Sequence, residues 1–253
     1  MKTAKRLTVC VLLLVCLAGT AGAEQLEDSV LLSFYNDSAF FGDSNMYLFR
    51  AYINELRKED ETVLAGTSIY CTSNMTLYDG SRPGLIGRYR FSYRGEDETM
   101  YTIARLVRAK KVFILLGIND PVGIEIDKAL SWVEEIVREM NRWLPETEIY
   151  FFSHTPVGWK YVAEKRPEYP ELADEYNRRL QETCTRIGAR YIEIAEALKG
   201  EDNLLNPDYT TDGICHLNPE GISVWIQCMK DYAQEQYDLG LWDPPGKETE
   251  TEE

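Results

Sequence analysis

Residues 112–120 read VFILLGIND, a run of five large apolar side chains followed by a glycine and a polar turn. The apolar run is continuous, with no alternation of polar and apolar positions. Such a run is typical of a strand that is buried on both faces in a parallel sheet. The stretch therefore predicts an α/β protein with a central strand that ends at Gly117, where polar residues begin.

The chain on either side of this strand alternates short apolar runs with longer segments of helical spacing. Strands are predicted at 39–41, 67–72, 112–116, 148–152 and 190–194. Helices are predicted at 46–56, 99–109, 126–144, 171–187 and 219–237. Residues 78–98, rich in Gly, Arg and Tyr, are predicted to form an irregular loop that could include a hairpin. Five strands separated by helices predict a three-layer α/β/α sandwich around a mostly parallel five-stranded sheet.

Polar residues follow the predicted strands directly. Ligands of parallel sheets bind at the carboxyl ends of the strands, so these positions are candidates for function. They are Gly42 to Asn45, Ser73 and Asn74, Gly117 to Asp120, Ser153 and His154, and, in the loop after the fifth strand, Asp212 and His216.

The composition argues against several classes of function. The formal net charge is −15, from 27 Lys and Arg against 42 Asp and Glu. A nucleic-acid-binding protein needs a basic face to displace counterions, so nucleic acid is not an expected partner. The chain has two histidines and neither a C-x-x-C nor an H-E-x-x-H motif, so no metal site is expected. No glycine-rich phosphate loop joins a strand to a helix, which argues against a flavodoxin-like nucleotide binder.

The first 23 residues have the pattern of a cleavable signal peptide. Residues 2–6 contain three basic side chains, residues 7–19 are apolar, and AGA at 21–23 provides a cleavage site before Glu24. The apolar segment is too short for a bilayer-spanning helix, which needs about 20 residues. Thr20 stands where a lipoprotein would have its lipidated cysteine. The sequence predicts a secreted, extracellular or periplasmic protein without a stable membrane anchor, and a retained N-terminal anchor is the alternative.

The rest of the chain is expected to form one domain over residues 24–242. Residues 243–253 contain two prolines and then alternate Glu with Thr, which predicts a disordered acidic tail. The domain has four cysteines, and both a Cys71–Cys215 disulfide and buried free thiols are open alternatives for an exported protein. The cysteines lie at positions 71, 184, 215 and 228.

Several of the polar residues could form a catalytic group. A hydroxyl nucleophile needs a base that holds a proton near neutral pH, and histidine is the usual choice. His216 lies four residues after Asp212, which could orient its ring, whereas His154 has no acidic neighbour in sequence and is expected to be a surface or core residue. Ser44 lies between a strand end and a helix, where N–H groups at the helix start face any anion that forms. The side chain of Asn119 could donate to such an oxyanion or cap neighbouring backbone.

Three separated motifs resemble those of the SGNH (GDSL-type) hydrolase family. They are FFGDS at 40–44, GIND at 117–120 and DGICHLN at 212–218, in the family's order. The resemblance spans about residues 38–231 and implies a flavodoxin-like sandwich that hydrolyses esters without a cofactor. Carried over by position, it implies Ser44 as the nucleophile, His216 as the base, Asp212 as the partner of that base, and Asn119 with the Ser44 N–H in the oxyanion hole.

The sequence departs from the family pattern at two points. The family has a glycine after the second strand that contributes its N–H to the oxyanion hole, and here the turn reads CTSNM at 71–75. Asparagine tolerates the left-handed backbone conformation better than most residues, so the Asn74 N–H could take the place of the glycine N–H. The family's Asp precedes its His by three residues, whereas Asp212 precedes His216 by four. Either a local bulge restores their contact, or Asp208 or a backbone carbonyl holds the ring.

The whole sequence predicts an exported serine ester hydrolase that transfers an acyl group to water. Cys215 is a weaker candidate nucleophile than Ser44, because it adjoins His216 and adjacent side chains rarely face each other. Family analogy and export favour a small-molecule or glycan ester as substrate, with a short acyl group such as acetate on a carbohydrate or cell-wall glycan. Residues 78–94, rich in Tyr and Arg, could line a sugar or an anionic substrate, or form a solvated loop packed by its own aromatic side chains. The alternative function is a catalytically inactive extracellular binding protein of the same fold, which the two departures favour.

Overall fold

A parallel five-stranded sheet forms the centre of the structure. The structure is a computed structural model, and it describes residues 24–82, 88–120, 125–164 and 166–245. The sheet has the strand order β2-β1-β5-β6-β7, and every neighbouring pair in it is parallel. β3 and β4 form a separate antiparallel hairpin. The strands in the described residues are β1 (Ser38–Gly42), β2 (Ser68–Cys71), β3 (Phe91–Tyr93), β4 (Glu96–Glu98), β5 (Lys111–Leu115), β6 (Glu148–Phe152) and β7 (Arg190–Ile192).

Helices fill the connections between the strands. Two of their ends have common caps: the Asn218 side chain accepts a hydrogen bond from the Gly221 N–H (2.9 Å), and Gly188 ends a helix with a φ of +77°. The helices in the described residues are α1 (Asp28–Ser33), α2 (Ser44–Glu59), α3 (Leu77–Gly80), α4 (Met100–Leu106), α5 (Ile126–Trp143), α6 (Trp159–Glu164), α7 (Tyr169–Ile187), α8 (Ala195–Leu198) and α9 (Pro219–Asp238), with a 3-10 helix at Pro207–Tyr209.

The side chains of β5 show how the sheet divides the core into two layers. Val112 and Ile114 face one side, where they pack with residues of α4, α5 and α7. Phe113 faces the other side, with residues of α1, α2 and α9, and its ring lies 4.6 Å from those of Phe40 and Tyr150. Because successive strand residues point to opposite faces, an entirely apolar strand needs helices on both sides. The predicted three-layer α/β/α sandwich is confirmed.

The structure differs from the prediction mainly in its short elements. The sequence pattern does not predict α1, α3, α6 or α8, because four to six residues are too few to show a helical period. The segment 78–98, predicted as an irregular loop that could include a hairpin, contains the β3–β4 hairpin and also the end of α3. Boundaries elsewhere move by up to three residues: α2 begins at Ser44 rather than 46, and β7 ends at Ile192 rather than 194.

Part of the sequence-based prediction lies beyond the described residues. The predicted signal peptide at 1–23 and residues 246–253 of the predicted tail are both outside them. Within the described ranges, no helix combines the length and the apolar character needed to cross a membrane. In the same part of the chain, no cluster of three or more His, Cys, Asp or Glu side chains could hold a metal ion.

Candidate active site

Ser44 occupies the first position of α2, immediately after the turn that ends β1. Asp43 precedes it as the N-cap, and the Asp43 side chain accepts a hydrogen bond from the Asn45 N–H (3.0 Å). The turn needs Gly42, since a Cβ at that position would lie 2.5 Å from the Cβ of Met46. The half-buried Ser44 therefore lies at the carboxyl edge of the sheet, beside the partly positive N-terminus of a helix.

Ser44, His216 and Asp212 form one hydrogen-bonded chain. Nε2 of His216 lies 3.1 Å from Oγ of Ser44, and Nδ1 lies 2.6 Å from Oδ2 of Asp212. Ser44 comes from α2, whereas the other two come from residues 210–217, here called the His216 loop, which leads into α9. A hydroxyl, an imidazole and a carboxylate in this order can remove the hydroxyl proton as the oxygen attacks a carbonyl carbon.

The His216 loop accommodates the four-residue spacing by wrapping around the Asp212 carboxylate. Oδ1 of Asp212 accepts hydrogen bonds from the N–H groups of Ile214 (2.7 Å) and Cys215 (3.1 Å), which leaves Oδ2 for the ring. Burial raises the pKa of Asp212, but the hydrogen bonds from the His216 ring and from the backbone outweigh it and lower the pKa to about 2. Asp212 is therefore charged at neutral pH. The partner of the ring is Asp212, whereas Asp208 lies in the 3-10 helix.

The two asparagines considered for the oxyanion hole lie in neighbouring loops. Asn74 is exposed and has a φ of +62°, in the left-handed region. Asn119 donates its side-chain amide to the carbonyl of the residue after Asn74 (3.1 Å), which joins the loop after β5 to the loop after β2. The Thr72 N–H donates to the Gly42 carbonyl (3.1 Å). This bond holds the loop after β2 beside the turn that carries Ser44. Both asparagines therefore lie at the same sheet edge as Ser44, and no hydrogen bond joins either side chain to it in the described residues.

Two buried carboxyl groups lie near this edge of the sheet. Asp43 and Asp120 are 1% and 6% exposed. Burial raises the pKa of Asp43 to about 7, against the lowering effects of the Asn45 N–H and of His216. Burial also raises the pKa of Asp120 to about 7, although its carboxyl group accepts a hydrogen bond from the Leu77 N–H (2.7 Å). Because each carboxyl group binds backbone at the start of a helix, their role is to shape the turns around Ser44.

His154, the second histidine, is a core residue. It is 2% exposed, and its Nε2 lies 3.0 Å from the hydroxyl of Tyr169. The Asn177 side chain binds its backbone twice, accepting from the His154 N–H (2.7 Å) and donating to the His154 carbonyl (3.0 Å). Burial lowers the pKa of His154 to about 4, so the ring is neutral at neutral pH. Of the two places that the sequence allows for this residue, surface or core, the structure shows the core.

The His216 loop is also supported by a turn that sequence reasoning missed. This turn, the α6 turn, consists of Gly158, Trp159 and Lys160. The Gly158 N–H donates to the Ile214 carbonyl (2.6 Å), and Nζ of Lys160 donates to the Asp212 carbonyl (2.7 Å). Trp159 is 54% exposed above this contact. The only sequence signal for the turn is its position shortly after the end of β6.

The cysteines of the described residues form no disulfide. Cys184 is buried, whereas Cys71, Cys215 and Cys228 are half-buried. Burial raises the pKa of the Cys184 thiol to about 12 and that of Cys228 to about 11, which keeps both protonated. The Cys71–Cys215 disulfide, one of the two alternatives that the sequence leaves open, is absent from the described residues, and both side chains are half-buried rather than buried.

The fold and the site together define a class of protein: a hydrolase built on an α/β/α sandwich, with a hydroxyl, a base and a carboxylate at the strand ends. The profile of the GDSL-like Lipase/Acylhydrolase family matches residues 40–222, which is most of the chain. The chain belongs to this family and is by class an ester hydrolase. The resemblance seen in the three sequence motifs is confirmed. Comparison with curated proteins finds no match.

Several solved structures share this fold. A protein from Streptococcus pneumonia assigned as a platelet activating factor has a TM-score of 0.57 and 20% identity, over 78% of this chain and 84% of its own. A GDSL-like lipase from Bacteroides thetaiotaomicron has a TM-score of 0.54 and 17% identity, over 78% and 87%. A variant of an acetyl-xylooligosaccharide esterase from Geobacillus Stearmophilus has a TM-score of 0.53 and 16% identity, over 77% and 92%. At these identities the likeness establishes the fold.

Proposed function

We propose that the protein is an exported serine ester hydrolase that transfers an acyl group to water, with Ser44 as its nucleophile. The observation that carries this proposal is the chain from Ser44 Oγ to His216 Nε2 (3.1 Å) and from His216 Nδ1 to Asp212 (2.6 Å). Ser44 Oγ attacks the ester carbonyl carbon while His216 takes its proton. The charged Asp212 carboxylate then stabilises the imidazolium that forms.

The attack places a negative charge on the former carbonyl oxygen. We assign its stabilisation to the Asn119 side chain, the Ser44 N–H at the start of α2, and the Asn74 N–H. Asn74 has a φ of +62°, in the left-handed region that a glycine readily adopts. Its backbone therefore has a conformation suited to the family's glycine, which supports the substitution. His216 returns its proton to the leaving alcohol, and a water molecule then attacks the acyl-enzyme with His216 again as the base.

We propose that the substrate is a short acyl ester, such as acetate, on a carbohydrate or cell-wall glycan. Two exposed aromatic side chains on elements of the site support a sugar. Trp159 lies on the α6 turn and is 54% exposed, and Tyr47 lies one turn along α2 from Ser44 and is 51% exposed. An aromatic ring that is partly exposed to solvent can pack against the apolar C–H face of a sugar ring. One of the structural neighbours is an acetyl-xylooligosaccharide esterase, which agrees with this substrate class.

A comparison of residues 24–253 with the Ser44→Ala variant tests the proposal. The assay uses an aryl acetate, an aryl octanoate and acetylated xylo-oligosaccharides. We expect kcat to fall on the order of 10³-fold or more in Ser44→Ala, because the attacking hydroxyl is removed. The wild type should hydrolyse both acetates faster than the octanoate. Ser223→Ala, which changes an exposed serine on α9, is the control and should retain full activity.

Two results of this assay would contradict the proposal. Full activity in Ser44→Ala would show that the assigned nucleophile is wrong. A folded wild type that hydrolyses none of the esters but binds the oligosaccharides would favour the alternative, an extracellular binding protein of the same fold.

A further inference from the structure

We propose that Asn45 is a positioning residue that sets the distance between Ser44 and His216. The inference rests on the proposed function, because it concerns the serine and histidine of that reaction. Asn45 directly follows Ser44 in α2 and is 1% exposed. Its side chain reaches the His216 loop and binds the backbone on both sides of His216.

Both ends of the Asn45 carboxamide are used. Nδ2 donates to the Cys215 carbonyl (3.0 Å), and Oδ1 accepts from the Leu217 N–H (3.1 Å). These backbone groups belong to the residues immediately before and after His216. Nδ2 also contacts the hydroxyl of Thr155 (3.4 Å), which follows β6. A carboxamide flipped by 180° would place donor against donor and acceptor against acceptor, so the loop backbone specifies one orientation.

The His216 loop depends on this contact because it has little regular structure of its own. It lies between the 3-10 helix and α9, and 40% of the His216 side chain is exposed, so core packing does not hold the ring. Hydrogen bonds within the loop, such as that from the Thr211 N–H to the His216 carbonyl (3.0 Å), shape it without attaching it to α2. Besides the hydrogen bond between His216 and Ser44 itself, Asn45 makes that attachment, since it is covalently joined to Ser44 and hydrogen-bonded to both neighbours of His216.

The variant Asn45→Ala removes the two hydrogen bonds to the His216 loop, together with the weaker one to Thr155, and keeps the proposed catalytic residues. We expect kcat for an aryl acetate to fall about 10²-fold, because a displacement of about 1 Å in a catalytic geometry can cost that much. KM should change by less than about twofold, since an effect on kcat alone marks an interaction that acts in the transition state. The rate at which a fluorophosphonate modifies Ser44 should fall by a similar factor, because that reaction uses the same base.

Asn177→Ala provides a matched control. Asn177 is also a buried asparagine, 7% exposed, and it makes the same pair of backbone hydrogen bonds, but to His154. Both alanine variants should lower the melting temperature, because each leaves buried backbone groups unpaired. Only Asn45→Ala should lower kcat per folded molecule, with the folded fraction measured by circular dichroism.

Asn45→Leu serves if the alanine variant does not fold, because leucine fills the space of the carboxamide without making its hydrogen bonds. We expect the same loss of kcat as in Asn45→Ala. A folded variant of either kind with wild-type kcat would overturn the inference. Equal losses of kcat in Asn45→Ala and Asn177→Ala would also overturn it, since the effect would then belong to any buried amide. The proposed function is tested separately, by Ser44→Ala.

Discussion

Three aspartates near Ser44 show how environment decides what one side chain does. Asp212 accepts hydrogen bonds from the His216 ring and from the backbone, and these outweigh its burial and lower its pKa to about 2. Asp43 and Asp120 have fewer such partners and are more deeply buried, and burial raises the pKa of each to about 7. Asp212 can therefore stabilise a positive charge on the ring, whereas the other two serve as caps of nearby turns.

The buried carboxyl group of Asp120 predicts a pH dependence of stability. Its pKa is raised from 3.8 to about 7 in the folded state. Between these pH values the folded protein binds more protons at this group than the unfolded chain does, so the free energy of unfolding falls as the pH rises. At about 1.4 kcal/mol per pKa unit, the contribution of this group is at most about 4 kcal/mol.

The variant Asp120→Asn should remove this contribution. Urea unfolding at about pH 4.5 and about pH 7.5 should give a smaller difference in the free energy of unfolding than in the wild type. Asp97→Asn, which changes an exposed carboxyl group on β4, should keep the wild-type difference. An Asp120→Asn protein with the full wild-type pH dependence would contradict the assignment.

At the scale of the secondary structure elements, the α6 turn connects the end of β6 to the His216 loop. A Cβ at Gly158 would lie 2.3 Å from the Gly213 carbonyl oxygen, so Gly158→Ala must push the turn and the loop apart. The hydrogen bond from the Gly158 N–H to the Ile214 carbonyl (2.6 Å) would then be lost. We expect kcat for an aryl acetate to fall about tenfold or more, because the loop carries Asp212 and His216.

Gly200→Ala is the control for this prediction. Gly200 lies between α8 and the 3-10 helix, and a Cβ there would meet nothing closer than a side-chain oxygen of Asp202 at 3.3 Å. This variant should keep wild-type kcat. If Gly158→Ala matches it in kcat, the α6 turn does not support the site.

The strands of the central sheet and the long helices could be predicted because a short apolar run or several helical turns form a local sequence pattern. β6 has the predicted bounds of 148–152, and α5 spans Ile126–Trp143 against the predicted 126–144. The short helices α3 and α6 could not be predicted, since one or two helical turns do not establish a pattern. Both lie near the site, which is why the sequence pattern describes the sheet better than the loops around Ser44.

At the scale of the whole molecule, we propose that the domain is exported and begins at Glu24. The first described residues contact α9. The Leu26 N–H donates to the Gln234 side chain (3.0 Å), and that side chain donates to the Glu24 carbonyl (3.0 Å). A chain cleaved after residue 23 would keep both contacts.

The mass of the exported protein tests this proposal. Protein recovered from the periplasm or the medium should have the mass of residues 24–253. Ala23→Leu should slow the cleavage, because the site needs a small residue at that position. Recovery of the full-length chain from membranes, with none in the exported fractions, would contradict the export proposal and favour a retained anchor.

The sequence by itself determined the fold class and the order of the three motifs, and it predicted His216 as the base. An apolar run, a helical period and a glycine at a turn are local properties, because burial of a strand or a helix face requires apolar side chains at nearby positions of the sequence. A chain with two histidines, of which only His216 has an acidic neighbour in sequence, leaves little choice of base.

The tertiary structure alone decided which groups touch. It showed that Asp212 rather than Asp208 holds the His216 ring, that no disulfide joins Cys71 to Cys215 in the described residues, and that Asn45, beside Ser44, holds the His216 loop. The physical reason is range. A hydrogen bond acts over about 3 Å, and Asn45 meets Leu217 across 172 positions of sequence, a separation that no local pattern spans.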